Sequence, residues 1–263
     1  MWLPRLLRRN QPCVLLHDTR VYAIGDIHGR LDLLSRLVRQ IEHDSGNAGH
    51  QAYRVVILGD FIDRGPGSKK IIQLFKRLSR EENFHVLQGN HEAIMVDAYN
   101  GNHDAMSLWL EHGGLATLAS LGVDITTVDT SDTLTLLRSF REVCPASMIT
   151  WLASLPRSVQ IGRYTFVHAG IRPGVDLDKQ QANDQLWIRE EFTESDADHG
   201  AIIVHGHTIY EEGVCFRKNR IGVDTGAYRT NRLSAVALEG NQAWALTTGL
   251  PKTSYRSIWV VPD

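Results

Sequence analysis

Val55-Val56-Ile57-Leu58-Gly59-Asp60-Phe61-Ile62-Asp63-Arg64-Gly65 is an apolar run that ends abruptly in charge. Four consecutive apolar residues read as a buried strand, stopped by Gly59, with Asp60 and the Asp63-Arg64 pair just beyond it. Downstream, Ile71, Ile72, Leu74, Phe75 and Leu78 recur at helical spacing. The same unit occurs on either side. Val21-Tyr22-Ala23-Ile24 stops at Gly25, and Leu33, Leu34, Leu37, Val38 and Ile41 then mark one helical face. Phe84-His85-Val86-Leu87-Gln88 stops at Gly89. Buried strands alternating with amphipathic helices predict an α/β layered core with parallel pairing.

From about residue 91 to 155 the pattern is mostly helical, with Leu108, Leu115, Leu118 and Leu121 along one stretch and residues 134–143 along another. This block interrupts the strand rhythm and predicts a helical insertion or cap. Strands resume at residues 164–167 and 202–204, and then follow closely at 214–216, 221–223, 233–238 and 243–246. Short turns between consecutive strands predict antiparallel pairing there. The expected fold is α/β of mixed α+β character: two mixed β-sheets in a sandwich flanked by helices, with a helical insertion. No linker, repeat or low-complexity segment divides the chain, so residues 1–263 read as a single domain with its core at about 20–248.

Bulk properties exclude several classes. With 263 residues, 43% hydrophobic, 22% charged and a formal net charge of -2, the chain has an ordinary globular composition. No basic run or charge excess points to nucleic acid. No apolar stretch reaches transmembrane length, so no integral membrane association is expected. The N-terminus is basic, but its apolar run is too short for a signal-peptide core, and it reads as a frayed end rather than a membrane contact through Trp2, Leu6 and Arg8. Cys13, Cys144 and Cys215 are odd in number and widely spaced, as in reduced thiols of a cytoplasmic protein.

Ligand-type residues cluster just after the apolar runs: Asp26 and His28, Asp60 and Asp63-Arg64, Asn90 and His91, His168, and His205 with His207. In open α/β sheets, ligands bind beyond the carboxyl ends of the strands, so these ends have the means to converge on one site. A mixed set of carboxylate, imidazole and carboxamide suits Mn, Fe or Zn better than the all-oxygen shells of Ca or Mg. The set suffices for two divalent ions, with the two oxygens of Asp60 able to bridge them. Ions roughly 3.5–4 Å apart clamp attacking and leaving oxygens of an in-line displacement and acidify a water.

The five segments, Gly25-Asp26-Ile27-His28-Gly29, Gly59 to Gly65, Gly89-Asn90-His91-Glu92, His168-Ala169-Gly170 and Gly206-His207-Thr208, resemble in order the motifs of the calcineurin-like metallophosphoesterase superfamily. They are most similar to the PPP-type serine/threonine protein phosphatases of the bacterial and phage kind, as is the later Gly222-Val223-Asp224-Thr225-Gly226-Ala227. The resemblance implies that Asp26, His28 and Asp60 hold one metal, and Asp60, Asn90, His168 and His207 the other. It implies that His91 protonates the leaving alkoxide, with Asp63 orienting its ring, and that Arg64 and Arg189, together with Asn90, bind substrate phosphate. The implied activity is hydrolysis of phosphoserine and phosphothreonine esters on phosphoprotein partners. A hydroxide made from water by two metal ions, Mn first, would attack phosphorus directly. Neither a CxxxxxR loop nor a DxDxT-like nucleophile favours a covalent route. Symmetrical dinucleoside polyphosphate hydrolases share the metal motifs but tend to lack the Asp that stands here at 63. A broad small-molecule phosphomonoesterase stays open, as does, more remotely, a non-catalytic scaffold.

Some positions admit two readings. Gly101-Asn102-His103-Asp104 nearly copies the motif at Gly89, but it follows no strand and reads as a helix-to-helix loop. His205 either backs a ligand or simply ends its strand. Arg189 could instead lie on a solvated helix, and Asp63-Arg64 could be a surface ion pair. Tyr228 lies either near the site mouth or packed at a strand end. Trp109 and Trp151 read as core packing. His17, His43, His50, His85, His112 and His199 fall outside the motifs and read as structural or solvated.

Overall fold

A computed structural model describes residues 20–47, 53–129, 132–249 and 259–260. The expectations for the basic N-terminus, Cys13, His17 and His50 lie outside the described residues. The chain runs β1 (Arg20–Ile24), α1 (Leu31–Asn47), β2 (Tyr53–Ile57), α2 (Ser68–Leu78) and β3 (Phe84–Val86). Five helices follow: α3 (Asn90–Tyr99), α4 (His103–Glu111), α5 (Gly114–Leu121), α6 (Thr133–Val143) and α7 (Ala146–Ala153). Then come β4 (Ser158–Ile161), β5 (Tyr164–Val167), α8 (Ala182–Trp187), α9 (Glu190–Thr193), β6 (Ile202–His205), β7 (Cys215–Phe216) and β8 (Arg220–Gly222). The last elements are α10 (Ala227–Thr230), β9 (Ser234–Glu239), β10 (Gln242–Thr247) and β11 (Trp259–Val260).

The strands form two mixed sheets, one in the order β11-β10-β9-β1-β2-β3 and the other β4-β5-β6-β8-β7. The unbroken apolar runs of β1 and β2 are explained by burial on both faces. Val21, Ala23, Val56 and Leu58 enter the core between the sheets with Phe166, Val204 and Ile221. Tyr22, Ile24, Val55 and Ile57 face the other way, into a core shared with Leu33 and Leu37 of α1, Phe75 of α2, and Trp109 and Phe140 of the helical block. The block is therefore part of the main core rather than an appended cap. Beyond the second sheet, Val167 and Ile203 pack with Ile188 and Phe192.

Parallel pairing holds for β1–β2, β2–β3, β5–β6 and β6–β8. The carboxyl ends of β1, β2, β3, β5 and β6 open toward the same region, and hydrogen bonds tie the two sheets together there: His168 Nδ1 donates to Leu58 O, and His207 N–H donates to Asp26 Oδ1.

Three details depart from the expectations. Residues 158–161 form an additional edge strand, half exposed, whose pattern is too short and polar to signal a buried run. Antiparallel pairing of the C-terminal strands holds within β7–β8 and β9–β10, but β8 also lies parallel to β6, and the chain changes sheet before β9 joins β1. Finally, the leucines from 108 to 121 span two helices, broken at Gly113 (φ +101).

Candidate active site

Six described non-glycine residues have positive φ, and five of them are His28, Asp60, Asp63, Arg64 and His207. Such backbone is costly outside glycine and persists where the surroundings enforce it. The enforcement is visible. A Cβ on Gly89 would lie 2.2 Å from Asp60 Oδ1, and one on Gly206 would lie 2.2 Å from Asp26 Oδ1, so the loops meet with no room for side chains. Glu92, fully buried in the first turn of α3, accepts the N–H groups of Asp60 (2.9 Å), Phe61 (3.0 Å), Ile62 (3.3 Å) and Gly89 (2.9 Å). One carboxylate thus joins the loop after β2 to the loop after β3. Nothing in the sequence of Gly89-Asn90-His91-Glu92 signals this role for Glu92.

The loops bring Asp26, His28, Asp60, Asn90, His91 and His207 into one cleft of about 380 Å³, with Arg64 and Arg189 on its wall. His168, fully buried, stands behind Asn90. Donor atoms of Asp60, His168 and His207 lie within 4.8 Å of one another, as do those of His28, Asp60 and His91, which shares Asp60 between two groups. The tautomers follow from the backbone: His28 Nδ1 donates to Ile62 O at 2.9 Å and His168 Nδ1 to Leu58 O at 2.8 Å. Their Nε2 lone pairs are left facing acceptors. His168 Nε2 is 2.8 Å from Asn90 Oδ1 and 3.4 Å from Asp60 Oδ1, and His28 Nε2 is 3.9 Å from Asp60 Oδ2.

Electrostatics sharpen this picture. Burial holds His28 well below the usual imidazole range and lowers His168 and His207 as well. The neutral rings are therefore metal-ligand forms rather than ion-pair partners of Asp60. Asp26 is pushed well up by burial and by the neighbouring Asp224 and Asp60 carboxylates. Lone pairs converging on one another among three buried carboxylates constitute a site that a divalent cation would relieve. The residues fit two metal ions in this donor chemistry.

At the edge of this cluster His91 Nδ1 donates to Asp63 Oδ2 at 2.6 Å, and its Nε2 lies 3.8 Å from Asp60 Oδ2 and 3.3 Å from Arg64 Nη2. Burial opposes the imidazolium, but Asp60 and then Asp63 outweigh it and raise His91 to about 8. Asp63 is fully buried, which rules out a surface ion pair with Arg64. Arg64 instead spreads over the Tyr228 ring at 4.1 Å, and Tyr228 sits edge-on to His28. Tyr228 is thus at the site mouth. Arg189 lies before α9 and lines the cleft, so it is not a residue of a solvated helix.

Other expectations divide. His103 is exposed in the first turn of α4, where Asn102 caps the helix by accepting from Ala105 N–H, as a helix-to-helix loop requires. His205 ends β6, fully buried beside Phe192 and Tyr210 and away from the cleft lining. His43, His85 and His199 lie outside the cleft lining, but His112, read as structural or solvated, lines the cleft. No local motif marks His112, because the α4–α5 break delivers it. Asp224, in the segment Gly222 to Ala227 that carries part of the resemblance, also lines the cleft.

A profile of the calcineurin-like phosphoesterases matches residues 19–235. The chain belongs to this family. Serine/threonine-protein phosphatase 2 of Escherichia coli (strain K12) is 26% identical over 231 residues, covering 83% of this chain and 92% of that protein. The symmetrical bis(5'-nucleosyl)-tetraphosphatase of Nitrosococcus oceani is 32% identical over 160 residues, covering 60% of this chain and 46% of that protein. Among solved structures, a cold-active protein-tyrosine phosphatase of a psychrophilic Shewanella superposes with a TM-score of 0.58 at 19% identity, over 88% of this chain and 80% of that one. The last likeness concerns fold alone. Family and fold agree with the two-sheet phosphoesterase expected from the sequence. Among the described residues no helix is long and apolar enough to cross a membrane.

Proposed function

We propose that this phosphoesterase uses two divalent ions, Mn in the first instance, to hydrolyse phosphoserine and phosphothreonine esters of proteins. The observation that carries the reading is the His91–Asp63 pair at 2.6 Å, set against a cluster in which Asp60 is shared by two donor groups. In this reading Asp26, His28 and Asp60 hold one ion, and Asp60, Asn90, His168 and His207 the other. When bound, the ions supply positive charge for the phosphoryl oxygens and acidify a water.

The chain's own groups do the rest. Arg64 and Arg189 hold phosphate oxygens, with planar guanidinium forks suited to that geometry, and the Asn90 amide lies beside them. Tyr228 keeps the Arg64 fork over the cleft through a cation–π contact. As the P–O bond to the serine breaks, His91 gives its Nε2 proton to the leaving oxygen, while Asp63 holds Nδ1 and favours the charged donor. Water contributes the new oxygen, giving inorganic phosphate and a free hydroxyl. The Escherichia coli relative, matched over nearly its whole length, supports the protein-phosphatase reading.

A dinucleoside polyphosphate substrate is the second reading, supported by the Nitrosococcus oceani relative. Phosphate release from a phosphoserine peptide and cleavage of diadenosine tetraphosphate, measured side by side with and without Mn, separate the two. Mn-dependent preference for the peptide is expected. Preference for the dinucleotide would overturn the substrate class.

A further inference from the structure

The role of His91 depends on Asp63, and Asp63 is held less by its own loop than by the helical block. Asp63 and Arg64 both sit in left-handed backbone, at φ +68 and +66, a conformation that needs external support. That support comes from the α4–α5 break. Trp109 Nε1, in α4, donates to both carboxylate oxygens of Asp63 at 3.0 Å. Thr117 Oγ1, in α5, donates to Asp63 Oδ1 at 2.6 Å and accepts from Asp63 N–H at 2.9 Å. Ser68 Oγ accepts from the same N–H at 3.0 Å. Between the two helices, Gly113 O accepts from Arg64 N–H at 3.2 Å and His112 O from Arg64 Nε at 3.4 Å. Trp109, Thr117 and Asp63 are all fully buried, so no water competes for these bonds.

We propose that Trp109 and Thr117 are positioning residues of the reaction: they fix the Asp63 carboxylate so that it presents one oxygen to His91 Nδ1 and aims Nε2 at the leaving group. Thr117 takes Oδ1 and Trp109 bridges both oxygens, which fixes the carboxylate plane with Oδ2 toward His91 Nδ1 at 2.6 Å. The block thereby does more than complete the core: it holds the proton donor in register with a metal cluster built by other elements. This inference rests on the reading of His91 as proton donor.

A proton donor matters in proportion to the basicity of the leaving oxygen. An alkyl phosphate needs the proton, whereas p-nitrophenyl phosphate releases a stable phenolate without it. Thr117→Val, Thr117→Ser and Trp109→Phe are assayed against a phosphoserine peptide, glycerol 2-phosphate and p-nitrophenyl phosphate, with His91→Ala as reference and bound metal measured in each. Thr117→Val and Trp109→Phe are expected to lose kcat on the alkyl esters by about tenfold, part of the 10²–10⁴ that acid catalysis supplies. KM, metal content and p-nitrophenyl phosphate turnover are expected to stay within about twofold, and Thr117→Ser, which keeps the hydroxyl, to retain full activity. Equal losses on alkyl and aryl substrates would reduce both residues to packing and overturn the inference. So would unchanged alkyl turnover in Thr117→Val while His91→Ala discriminates between leaving groups. If His91→Ala itself fails to discriminate, the proton-donor reading falls and takes the inference with it. Trp109→Phe removes volume from the core, so a poorly folding variant leaves the decision to the Thr117 pair.

Discussion

The strand-end loops and the helical block meet at Asp63, and they encode their contributions differently. In the loops, the residue able to hold a metal is also the residue that marks the position: Asp26, His28, Asp60, Asn90, His168 and His207 each follow an apolar run within a few residues. In the block, the residues that matter look ordinary. Trp109 is one aromatic among helical apolar residues, and Thr117 stands in Gly-Leu-Ala-Thr-Leu-Ala-Ser-Leu, where only the leucines carry a pattern. Their contacts with Asp63 span 46 and 54 residues of sequence. A site can therefore be easy to read at its ligands and silent at its supports.

Four substitutions test how deep this difference runs. Asp60→Asn should have the largest effect, because a carboxylate shared by two donor groups becomes a neutral amide. Metal analysis should show lost occupancy, and turnover should fall by about 10³-fold, the equivalent of several kcal/mol of metal assistance. Full activity in this variant would sink the shared-ligand arrangement. His91→Ala should reduce kcat on a phosphoserine peptide by roughly 10²-fold or more while metal content stays near that of the parent. Loss of metal alongside activity would reassign His91 as a ligand, which its place among the donors of His28 and Asp60 makes a sharp alternative.

Glu92→Gln probes a support that lies inside a motif. Replacing one oxygen by an amide nitrogen turns a donor toward backbone N–H groups that need acceptors. Chemical denaturation should record a loss of about 1–3 kcal/mol, the scale of leaving a buried donor without its acceptor, and metal affinity should weaken roughly 10–100-fold. A variant with parental stability and parental metal binding would mean that the two loops hold their shape without the clamp. Leu134→Ser, on the outer face of α6 and 56% exposed, should change stability by no more than about 0.5 kcal/mol and leave turnover alone. A measurable drop in activity there would show that the outer surface of the block, and not only its inner contacts, takes part in the reaction.

Legibility in the fold follows the same logic. β1 and β2 were readable because residues 21–24 and 55–57 are buried on both faces, so those runs had to be apolar. β4 was not, because an edge strand with half-exposed residues carries little pattern. The two arginines differ as well. Arg64 comes with its motif, whereas Arg189 is marked by the resemblance alone and reaches the cleft through the turn between α8 and α9. His112 reached the cleft wall because Gly113 ends α4 in a left-handed turn, and a helical pattern does not reveal where it breaks relative to a distant loop.

The sequence by itself determined the α/β class, the order of the strand-end segments and the donor chemistry of the candidate ligand cluster, because apolar periodicity and ligand type are local properties of the chain. Only the tertiary structure decided which sheet each C-terminal strand joins, that Glu92 clamps two loops, and that Trp109 and Thr117 grip Asp63. Those are hydrogen bonds and strand pairings between segments far apart in the chain, and their geometry exists only once the two sheets and the helical block have packed against one another.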